Sequence, residues 1–251
     1  MQKEERQKLI IEELRTYNKV RSMDLRDKLN VSKDTIRRDL KELADKGRLK
    51  KVHGGAMSNA FSYFLDSCNN LNTHTHSNEI KIVKKVLPLI EDNMVIIIDG
   101  GTTNLELVKA LRQDLKATVC TNALEVALVL CDHPEIEICF LGGKLHKGPR
   151  LAIGLDVIDY LSDIHADICF MGTSVLHTTI GITENDREEA ITKRSMMLRS
   201  SKVISLSISE KLGRVKPFKV DSLDKIHILV TELDSSHKSL TPFKNFNITI
   251  M

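Results

Sequence analysis

The sequence predicts an α/β protein in two parts: a small helical N-terminal domain with a basic hairpin, and a larger three-layer α/β domain with a mainly parallel sheet. Near the N-terminus, short segments with one apolar face are separated by helix caps and turn residues. From Val95 onward, short apolar runs that end in Gly, Ser, Thr or Asn alternate with segments of helical spacing. This alternation is typical of a parallel sheet covered by helices.

The charge of the chain is distributed unevenly along its length. The chain has 251 residues and is 41% hydrophobic, which suits two modest domains with real cores. Residues 1–57 hold 16 Lys and Arg against 10 Asp and Glu, a net charge of +6, whereas the remainder carries −3. We therefore expect the first domain alone to meet a polyanion. A solvated, lysine-rich surface is the alternative.

Cysteine usage and hydropathy predict a reduced, cytoplasmic protein. The five cysteines form no CxxC pair and indicate buried thiols rather than a disulfide framework or a zinc site; they are Cys68, Cys120, Cys131, Cys139 and Cys169. The N-terminus opens no signal peptide, and no apolar run approaches the ~20 residues that span a bilayer. His74 and His76 lie in a polar stretch without a Cys or carboxylate cluster, so no metal site is expected.

The N-terminal segment contains the start and stop signals of three helices. Arg6 to Tyr17 is predicted as the first helix, and Ser22 as the cap of a short second helix. Asn30 can adopt the left-handed conformation that ends a helix. Ser32 then caps a third helix, which stops at Gly47. Two short helices joined by a tight turn form a helix-turn-helix.

The third of these helices is amphipathic in an unusual way. Ile36, Leu40 and Leu43 fall on one side, where they can pack, while Arg38 and Lys41 point the opposite way. A helix that is buried on one side and basic on the other can lie in the major groove of DNA.

A short basic strand, Arg48 to His53, is followed by a turn at Gly54–Gly55, which predicts the hairpin wing of a winged helix. Arginine pairs bidentately with guanine or clamps phosphate, and the lysines suit backbone contacts. The predicted DNA-binding residues are Ser32, Lys33, Thr35, Arg37, Arg38, Lys41, Lys50, Lys51 and His53. The alternative is that the two arginines form surface ion pairs with Asp34, Asp39 and Asp45.

The runs Thr35–Leu40 (TIRRDL) and His53–Ala56 (HGGA) resemble the DNA-binding domain of the DeoR family of bacterial transcriptional regulators. The resemblance covers about residues 6–57 and implies a winged helix-turn-helix that binds double-stranded DNA. Lys51 stands where the family usually has arginine, which keeps the charge but loses the fork geometry. The predicted domains are residues 1–57, a linker over 58–78, and an effector-sensing and oligomerisation domain over 79–251.

The second domain is predicted to bind its ligand at one edge of its sheet. Small and polar residues follow several predicted strands, and ligands of open parallel sheets bind beyond the carboxyl ends of the strands. The predicted strands are Val95–Ile98, Ala117–Cys120, Ile136–Leu141, Ile168–Met171, Val203–Leu206 and Ile226–Val230.

The chemistry of this edge favours an anion. Gly100–Gly101 allow close backbone approach, and Thr102 and Thr103 offer hydroxyls and N–H groups at a helix start, where the dipole favours negative charge. Lys193 or Lys211 can supply the compensating charge. Because neither a Walker loop nor GxGxxG is present, we expect a small phosphorylated metabolite and no nucleotide cofactor. The alternative is that these residues simply make turns and caps.

The runs Asp99–Thr103 and Phe170–Ser174, with the pair Glu189 and Lys193, resemble the DeoR-type effector domain, which is related in fold to ribose-5-phosphate isomerase and acyl-CoA transferases. The resemblance runs from about residue 79 to 232 and implies release from DNA by a sugar phosphate. The effector-binding residues that it implies are Asp99, Gly101, Thr102, Thr103, Thr121, Asn122, Gly142, Gly143, Gly172, Ser174, Glu189, Lys193 and Lys211. The sequence departs from the family at Val175, Ile208 and His227.

These observations predict a sequence-specific DNA-binding regulator, a repressor of carbohydrate metabolism genes that a phosphorylated sugar releases. Palindromic or repeated half-sites would require a homo-oligomer, a dimer or tetramer. A sugar-phosphate isomerase with an appended DNA-binding domain is the alternative, with Asp99 or Glu189 as its base. An activator, or a pocket that serves subunit assembly, is also open.

Overall fold

The structure is a computed structural model that describes residues 3–17, 19–57 and 73–251. The chain divides into two compact units, residues 1–71 and residues 72–251, which we call the head and the body. Each has its own hydrophobic core. Across the described ranges, no helix is long and apolar enough to cross a membrane.

The head is a three-helix domain with a small antiparallel sheet. Its helices are α1 (Lys3–Tyr17), α2 (Ser22–Leu29) and α3 (Lys33–Asp45). Its strands are β1 (Lys19–Arg21), β2 (Lys50–Val52) and β3 (Gly55–Met57), paired in the order β1-β3-β2. Because the β2–β3 hairpin follows the helix-turn-helix directly, the predicted winged helix-turn-helix is confirmed.

The turn between α2 and α3 uses the residues that the sequence analysis selects. Asn30 adopts the left-handed conformation at φ 50° and ends α2. The hydroxyl of Ser32 accepts a hydrogen bond from the backbone N–H of Thr35 at 3.1 Å and caps α3. After α3, Gly47 stands at φ 65°, which costs glycine little.

The start of α2 differs from the prediction. Ser22 is the first helical residue rather than the cap, and Arg21 precedes it without a side-chain capping bond. The backbone N–H of Ser22 instead donates to the carbonyl oxygen of Gly54 at 2.8 Å. The hairpin therefore satisfies a helix end that the sequence pattern assigns to a hydroxyl.

Asp39 ties α3 to α1 and is not a surface residue. Its side chain is 3% exposed, and both of its oxygens accept hydrogen bonds from the Arg6 guanidinium. The prediction that Asp39 could pair with Arg37 or Arg38 on the surface is therefore wrong. Because Asp39 is held on the inner side, the basic side of α3 faces away from the helix that it packs against.

The body contains a seven-stranded sheet with smaller antiparallel sheets. Its strands are β4 (Val95–Ile98), β5 (Ala117–Thr121), β6 (Ile136–Phe140), β7 (Lys144–His146), β8 (Leu151–Ile153), β9 (Ala166–Gly172), β10 (Val175–His177), β11 (Gly181–Glu184), β12 (Ser200–Leu206), β13 (Phe218–Asp221), β14 (Ile228–Val230) and β15 (Thr249–Ile250). Its α-helices are α4 (Thr73–Val86), α5 (Thr102–Lys109), α6 (Leu124–Leu130), α7 (Leu155–Ser162) and α8 (Arg187–Leu198).

The main sheet has the order β15-β14-β12-β9-β4-β5-β6, and each of its pairs is parallel. All six predicted strands occur. Ile96 and Ile98 on β4 join one buried cluster, which includes residues of α4, α5 and α6, whereas Ile97 joins another with residues of α7 and α8. Alternate side chains thus pack on opposite faces, and the predicted three-layer α/β fold is confirmed.

Two features of the body were not predicted. Strands β7 and β8 form a two-stranded antiparallel sheet, and β10, β11 and β13 form a three-stranded one. These strands have three or four residues each, which is too short to show an alternation of apolar and polar residues. Helix α4 begins at Thr73, so the last six residues of the predicted linker are helical. Residues 58–72, the rest of that linker, lie outside the described part of the chain.

The prediction of buried thiols holds for part of the set. Cys120 and Cys169 are buried, Cys139 is half-buried and Cys131 is exposed, while Cys68 lies outside the described residues. Burial raises the pKa of Cys120 to about 12, which keeps this thiol neutral near pH 7.

The close approach of the Gly172 and Gly100 backbones predicts that alanine destabilises the body at Gly172 but not at Gly142. A Cβ added at Gly172 would overlap the carbonyl oxygen of Gly100, whereas one added at Gly142 meets nothing within 4 Å. We expect Gly172→Ala to destabilise the body by about 2 kcal/mol or more, because backbone must shift to admit the methyl group. Native-state hydrogen exchange of β4 and β9 amides measures this. Gly142→Ala, the matched control, should leave exchange unchanged, and equal effects of the two variants would contradict the account.

Candidate functional site

The exposed face of α3 is basic. Arg37, Arg38 and Lys41 are exposed, while Ile36 and Leu40 on the opposite side are fully buried in the head core. The division between a packed face and a cationic face is the one that the sequence analysis predicts. It leaves the guanidinium groups in solvent, where they can reach a phosphate or a base edge.

The alternative of surface ion pairs applies to one of the two arginines. Arg37 lies 3.5 Å from Asp34, with the two side chains 71% and 72% exposed, and such exposed pairs contribute little. In the described part of the chain, no ion pair joins Arg38 to a carboxylate. Arg38 therefore does not have to break an internal ion pair in order to bind DNA.

The wing continues the basic surface along the chain. Lys50, Lys51 and His53 are exposed on the β2–β3 hairpin. Thr35 is half-buried, and its hydroxyl lies 2.8 Å from that of Ser32. The structure thus brings the nine predicted DNA-binding residues together on α3, its N-cap and the wing.

The body places Asp99 at the centre of its sheet, directly after β4. The side chain is fully buried, and Oδ2 accepts hydrogen bonds from Lys193 Nζ at 2.5 Å and from the backbone N–H of Gly172 at 3.1 Å. Its Oδ1 is buried and accepts no hydrogen bond from the described residues. A buried carboxylate oxygen without a donor is costly unless a ligand group satisfies it.

Three lysines converge on the consecutive residues Gly172–Ser174, where β9 ends. Nζ of Lys193 donates to the carbonyl oxygen of Gly172 at 3.0 Å. Nζ of Lys211 donates to the carbonyl oxygen of Thr173 at 3.1 Å. Nζ of Lys216 donates to the hydroxyl of Ser174. We call these residues and the three lysines the lysine cluster. It concentrates positive charge at the carboxyl edge of the central strands.

Carboxylates balance this charge. Glu184 lies 3.9 Å from Lys193 and 3.5 Å from Lys216, and Glu189 lies 3.3 Å from Lys193. Glu184 is buried and the Glu189 side chain is 12% exposed. The site therefore combines ammonium donors with carboxylate acceptors in a region of low solvent access, where electrostatic interactions are strong.

The environment shifts several pKa values at this site. Burial lowers the pKa of Lys193, but the charges of Asp99, Glu189 and Glu184 outweigh it and raise this pKa above its ordinary value. Burial raises the pKa of Glu189, although Lys193 opposes the shift. Burial lowers the pKa of Lys211. The surrounding carboxylates thus favour the charged form of Lys193, whereas burial disfavours the charged forms of Glu189 and Lys211.

The loop after β4 lies close to the lysine cluster. Gly101 precedes α5 at φ 119°, a conformation that favours glycine, and a Cβ added there would lie 3.8 Å from the Cα of Gly172. Thr102 is exposed at the first position of α5, and Thr103 is buried. The predicted residues of this loop are therefore brought together with Asp99 and the lysine cluster.

The predicted residues on the next two strands make internal contacts. Thr121 accepts a hydrogen bond from the backbone N–H of Ala123 at 3.1 Å, and the Asn122 amide donates to the carbonyl oxygen of Ala152 at 2.9 Å. Gly142–Gly143 follow β6 and are exposed. These residues occupy the same sheet edge as Asp99 because β4, β5 and β6 are parallel neighbours, but no described contact joins them to the lysine cluster.

Five residues of this region are not predicted from the sequence. Glu184 is the last residue of the short strand β11, Lys216 lies just before β13, and neither belongs to a motif. Glu79 lies at the predicted start of the second domain. The Asn104 amide donates to the carbonyl oxygens of Asp99 at 2.8 Å and of Phe170 at 3.1 Å, which ties β4 to β9. His146 Nδ1 lies 3.9 Å from Glu189. The contacts of Glu79, Glu184, Lys216 and His146 join residues far apart in the sequence, so no local pattern indicates them. Asn104 is the exception, because it directly follows the predicted run Asp99–Thr103.

The segment around Ile208, one of the departures from the family pattern, is held by the core and by Glu232. Ile208, which replaces an acid, is half-buried against the core. Glu232 accepts hydrogen bonds from the backbone N–H of Ser209 at 2.9 Å and from its hydroxyl at 2.5 Å. These bonds anchor the 3₁₀ turn Ser209–Lys211, which carries Lys211 into the lysine cluster.

Among the residues that the structure describes, no group of three or more His, Cys, Asp or Glu side chains is arranged so that it could hold a metal ion. His76 lies on α4 with Nδ1 3.8 Å from Glu106, and the side chain of His74 is outside the described part.

Comparison with known proteins identifies both domains. The model of the DeoR C terminal sensor domain matches residues 75–233, and that of the DeoR-like helix-turn-helix domain matches residues 6–61. The chain is 31% identical to the HTH-type transcriptional regulator GolR of Listeria innocua, over 91% of this chain and 90% of that protein. It is 32% identical to the HTH-type transcriptional repressor GlcR of Bacillus subtilis, over 92% and 89%. It is 29% identical to the glycerol-3-phosphate regulon repressor of Escherichia coli, over 92% of each.

Among solved structures, ribose 5-phosphate isomerase A from Methanocaldococcus jannaschii matches 53% of each chain, with a TM-score of 0.40 and 16% identity. The relatives that match about nine-tenths of the chain are regulators and repressors, and they cover both the head and the body. With its DeoR-like helix-turn-helix domain and DeoR C-terminal sensor domain, the chain belongs to the DeoR family of transcriptional regulators.

Proposed function

We propose that this regulator represses carbohydrate metabolism genes and leaves its operator when a phosphorylated sugar binds beside Asp99 and the lysine cluster. The observation that carries the proposal is the convergence of three ammonium groups on three consecutive residues at the end of β9. That end lies next to β4, at the sheet edge where open parallel sheets take ligands.

The donors and acceptors of the site suit the two ends of a sugar phosphate. Lys211 and the start of α5 at Thr102 offer an ammonium group and backbone N–H groups for the phosphate. Asp99 and Glu189 offer carboxylate oxygens for sugar hydroxyls. The mixed charge of the site thus favours a ligand with both an anionic group and several hydroxyls over a simple anion.

The names of the relatives support the same class of function. GlcR of Bacillus subtilis is called a repressor, and the Escherichia coli relative is called the glycerol-3-phosphate regulon repressor. The isomerase alternative is not favoured, because regulators match nearly the whole chain. In addition, Asp99, one of the two candidate bases, is held through Oδ2 by the charge of Lys193 and by the N–H of Gly172, so one of its two oxygens is already occupied.

We further propose a homo-oligomer, a dimer or tetramer, in the cytoplasm, where its operator lies. One helix-turn-helix reads one half-site, and repressors of this kind gain specificity by binding two half-sites through symmetry. The body exposes large apolar side chains that suit such contacts, among them Leu155, which is 82% exposed, and Leu128, which is 68% exposed.

The role of α3 predicts a selective loss of DNA binding. Arg38→Ala should weaken binding to DNA from upstream of its own gene by at least about tenfold and lower the salt dependence by about one phosphate contact. Fluorescence anisotropy at several salt concentrations measures both effects. Lys8→Ala is the matched control, because Lys8 is 78% exposed on α1 and outside the basic face. Equal affinities for Arg38→Ala and the wild type would contradict this role for α3.

The lysine cluster predicts the opposite selectivity. Lys211→Met removes one ammonium group with little loss of side-chain volume, so it should abolish the thermal stabilisation given by sugar phosphates and leave operator affinity within about twofold. Lys202→Met, at an exposed position of β12, controls for the lost charge. The expectation fails if Lys211→Met keeps the full stabilisation.

A further inference from the structure

Glu79 is a buried acid on a helix that packs beside the sheet, and it contacts a residue of the proposed anion site. It lies on α4, is 6% exposed, and accepts a hydrogen bond from the hydroxyl of Thr102 at the first residue of α5. A carboxylate at a helix start is stabilised by the dipole and by the N–H groups there, as a phosphate would be. Glu79 therefore uses a position that we assign to the anionic effector.

The electrostatics of Glu79 join it to a second residue of that site. Burial raises its pKa, while the Thr102 hydrogen bond and the positive charge of Lys211 oppose the shift. The interaction is mutual, because the charge of Glu79 opposes the effect of burial on the pKa of Lys211. Glu106 and His76 are the other charged or titratable groups that act on Glu79. Glu79 thus contacts Thr102 directly and is influenced by the charge of Lys211, and we assign both residues to the phosphate.

The two halves of α4 are attached differently. Toward its C-terminal end, Ile82 and Val86 are fully buried, and Lys85 Nζ donates to the carbonyl oxygens of Thr231 at 2.8 Å and Leu233 at 2.9 Å. The polar contacts described for its N-terminal half are those of Glu79 with Thr102 and of His76 with Glu106. The C-terminal half is anchored in the core, and among the described contacts of the N-terminal half the hydrogen bond of Glu79 is the one that reaches the start of α5.

We propose that Glu79 is an internal anion that competes with the effector phosphate for Thr102 at the start of α5, so that effector binding frees the N-terminal half of α4. This proposal rests on the proposed function of the site. Two anions at one helix start repel each other strongly, so Glu79 leaves as the phosphate enters. Helix α4 begins at Thr73 and is the first described element of the body in chain order, so the proposed release acts at the part of the body that follows the head in the sequence.

Sulfate is the probe for the competition, because it is a tetrahedral dianion throughout the working pH range. In the full-length protein, Glu79→Gln removes the competing charge and keeps the shape of the side chain. We expect this variant to bind sulfate at least about fivefold more tightly than the wild type, measured by thermal shift at constant ionic strength. Glu106→Gln, which removes a neighbouring acid that does not contact Thr102, should change sulfate affinity less than about twofold.

Hydrogen exchange tests the release of α4. In the wild type, sulfate should speed exchange of the amides of residues 77–81 and leave residues 83–86 protected. In Glu79→Gln, exchange at residues 77–81 should already be fast and should not respond to sulfate. Thr102→Val gives a second test that does not alter the acid: it should speed the same exchange without tightening sulfate binding.

The outcomes separate this proposal from the proposed function. If the wild type and Glu79→Gln bind sulfate equally, or if sulfate leaves the exchange of residues 77–81 unchanged, the role of Glu79 is overturned and the anion site stands. If neither protein binds sulfate or any sugar phosphate, the anion site and the role of Glu79 are both overturned. If Glu79→Gln does not fold, the exchange of Thr102→Val decides, and unchanged exchange in that variant overturns the proposal.

Discussion

The ion pair between Asp99 and Lys193 is the interaction on which the sensor domain depends. It buries two opposite charges completely, 2.5 Å apart, and joins the end of β4 to α8 across the end of β9. Removing one partner of such a pair typically costs about 3–5 kcal/mol, because the other charge is left buried and unpaired. The pair therefore fixes where three elements meet, and every other group of the site is placed relative to it.

The site around this pair is built by close backbone packing. Gly172 approaches the carbonyl oxygen of Gly100 so closely that a side chain cannot be inserted, and its own N–H donates to Asp99. The consecutive carbonyl and hydroxyl groups at the end of β9 then receive the lysines. The balance of ammonium and carboxylate groups explains how so much charge is buried together, and why a ligand with both phosphate and hydroxyls suits the site.

Much of this arrangement could be predicted from the sequence, for identifiable reasons. The head has strong local signals: Asn30 and Ser32 mark helix ends, and the spacing of Ile36 and Leu40 marks the packed side of α3. The central strands of the body are continuous apolar runs, so their ends, and with them Asp99 and Gly172, could be located. The loops that follow parallel neighbours share one edge of the sheet, which makes Lys211 a candidate, whereas Lys193 is a candidate as a compensating charge and through the resemblance at Glu189 and Lys193.

The rest could not be predicted, because it depends on contacts between residues far apart in the chain. The sequence pattern suggests that Asp39 is a surface acid on the polar side of α3, yet it is buried because Arg6, 33 residues earlier, pairs with it. Glu184 ends a strand that is too short to show a period, and Lys216 lies in the segment before β13. Glu79 is connected to the site by the hydroxyl of Thr102, which lies 23 residues later in the chain. In each case the chemistry comes from tertiary packing, not from a local pattern.

The central claim is that a phosphate group, recognised in the body, controls the hold of the head on DNA. The most direct measurement is the anisotropy of labelled upstream DNA bound to the full-length protein during titration with sugar phosphates, each compared with the same sugar lacking its phosphate. The account predicts that at least one sugar phosphate releases the DNA and that its unphosphorylated counterpart does not. Release by the free sugar to the same extent, or no release by any phosphorylated sugar, would contradict it.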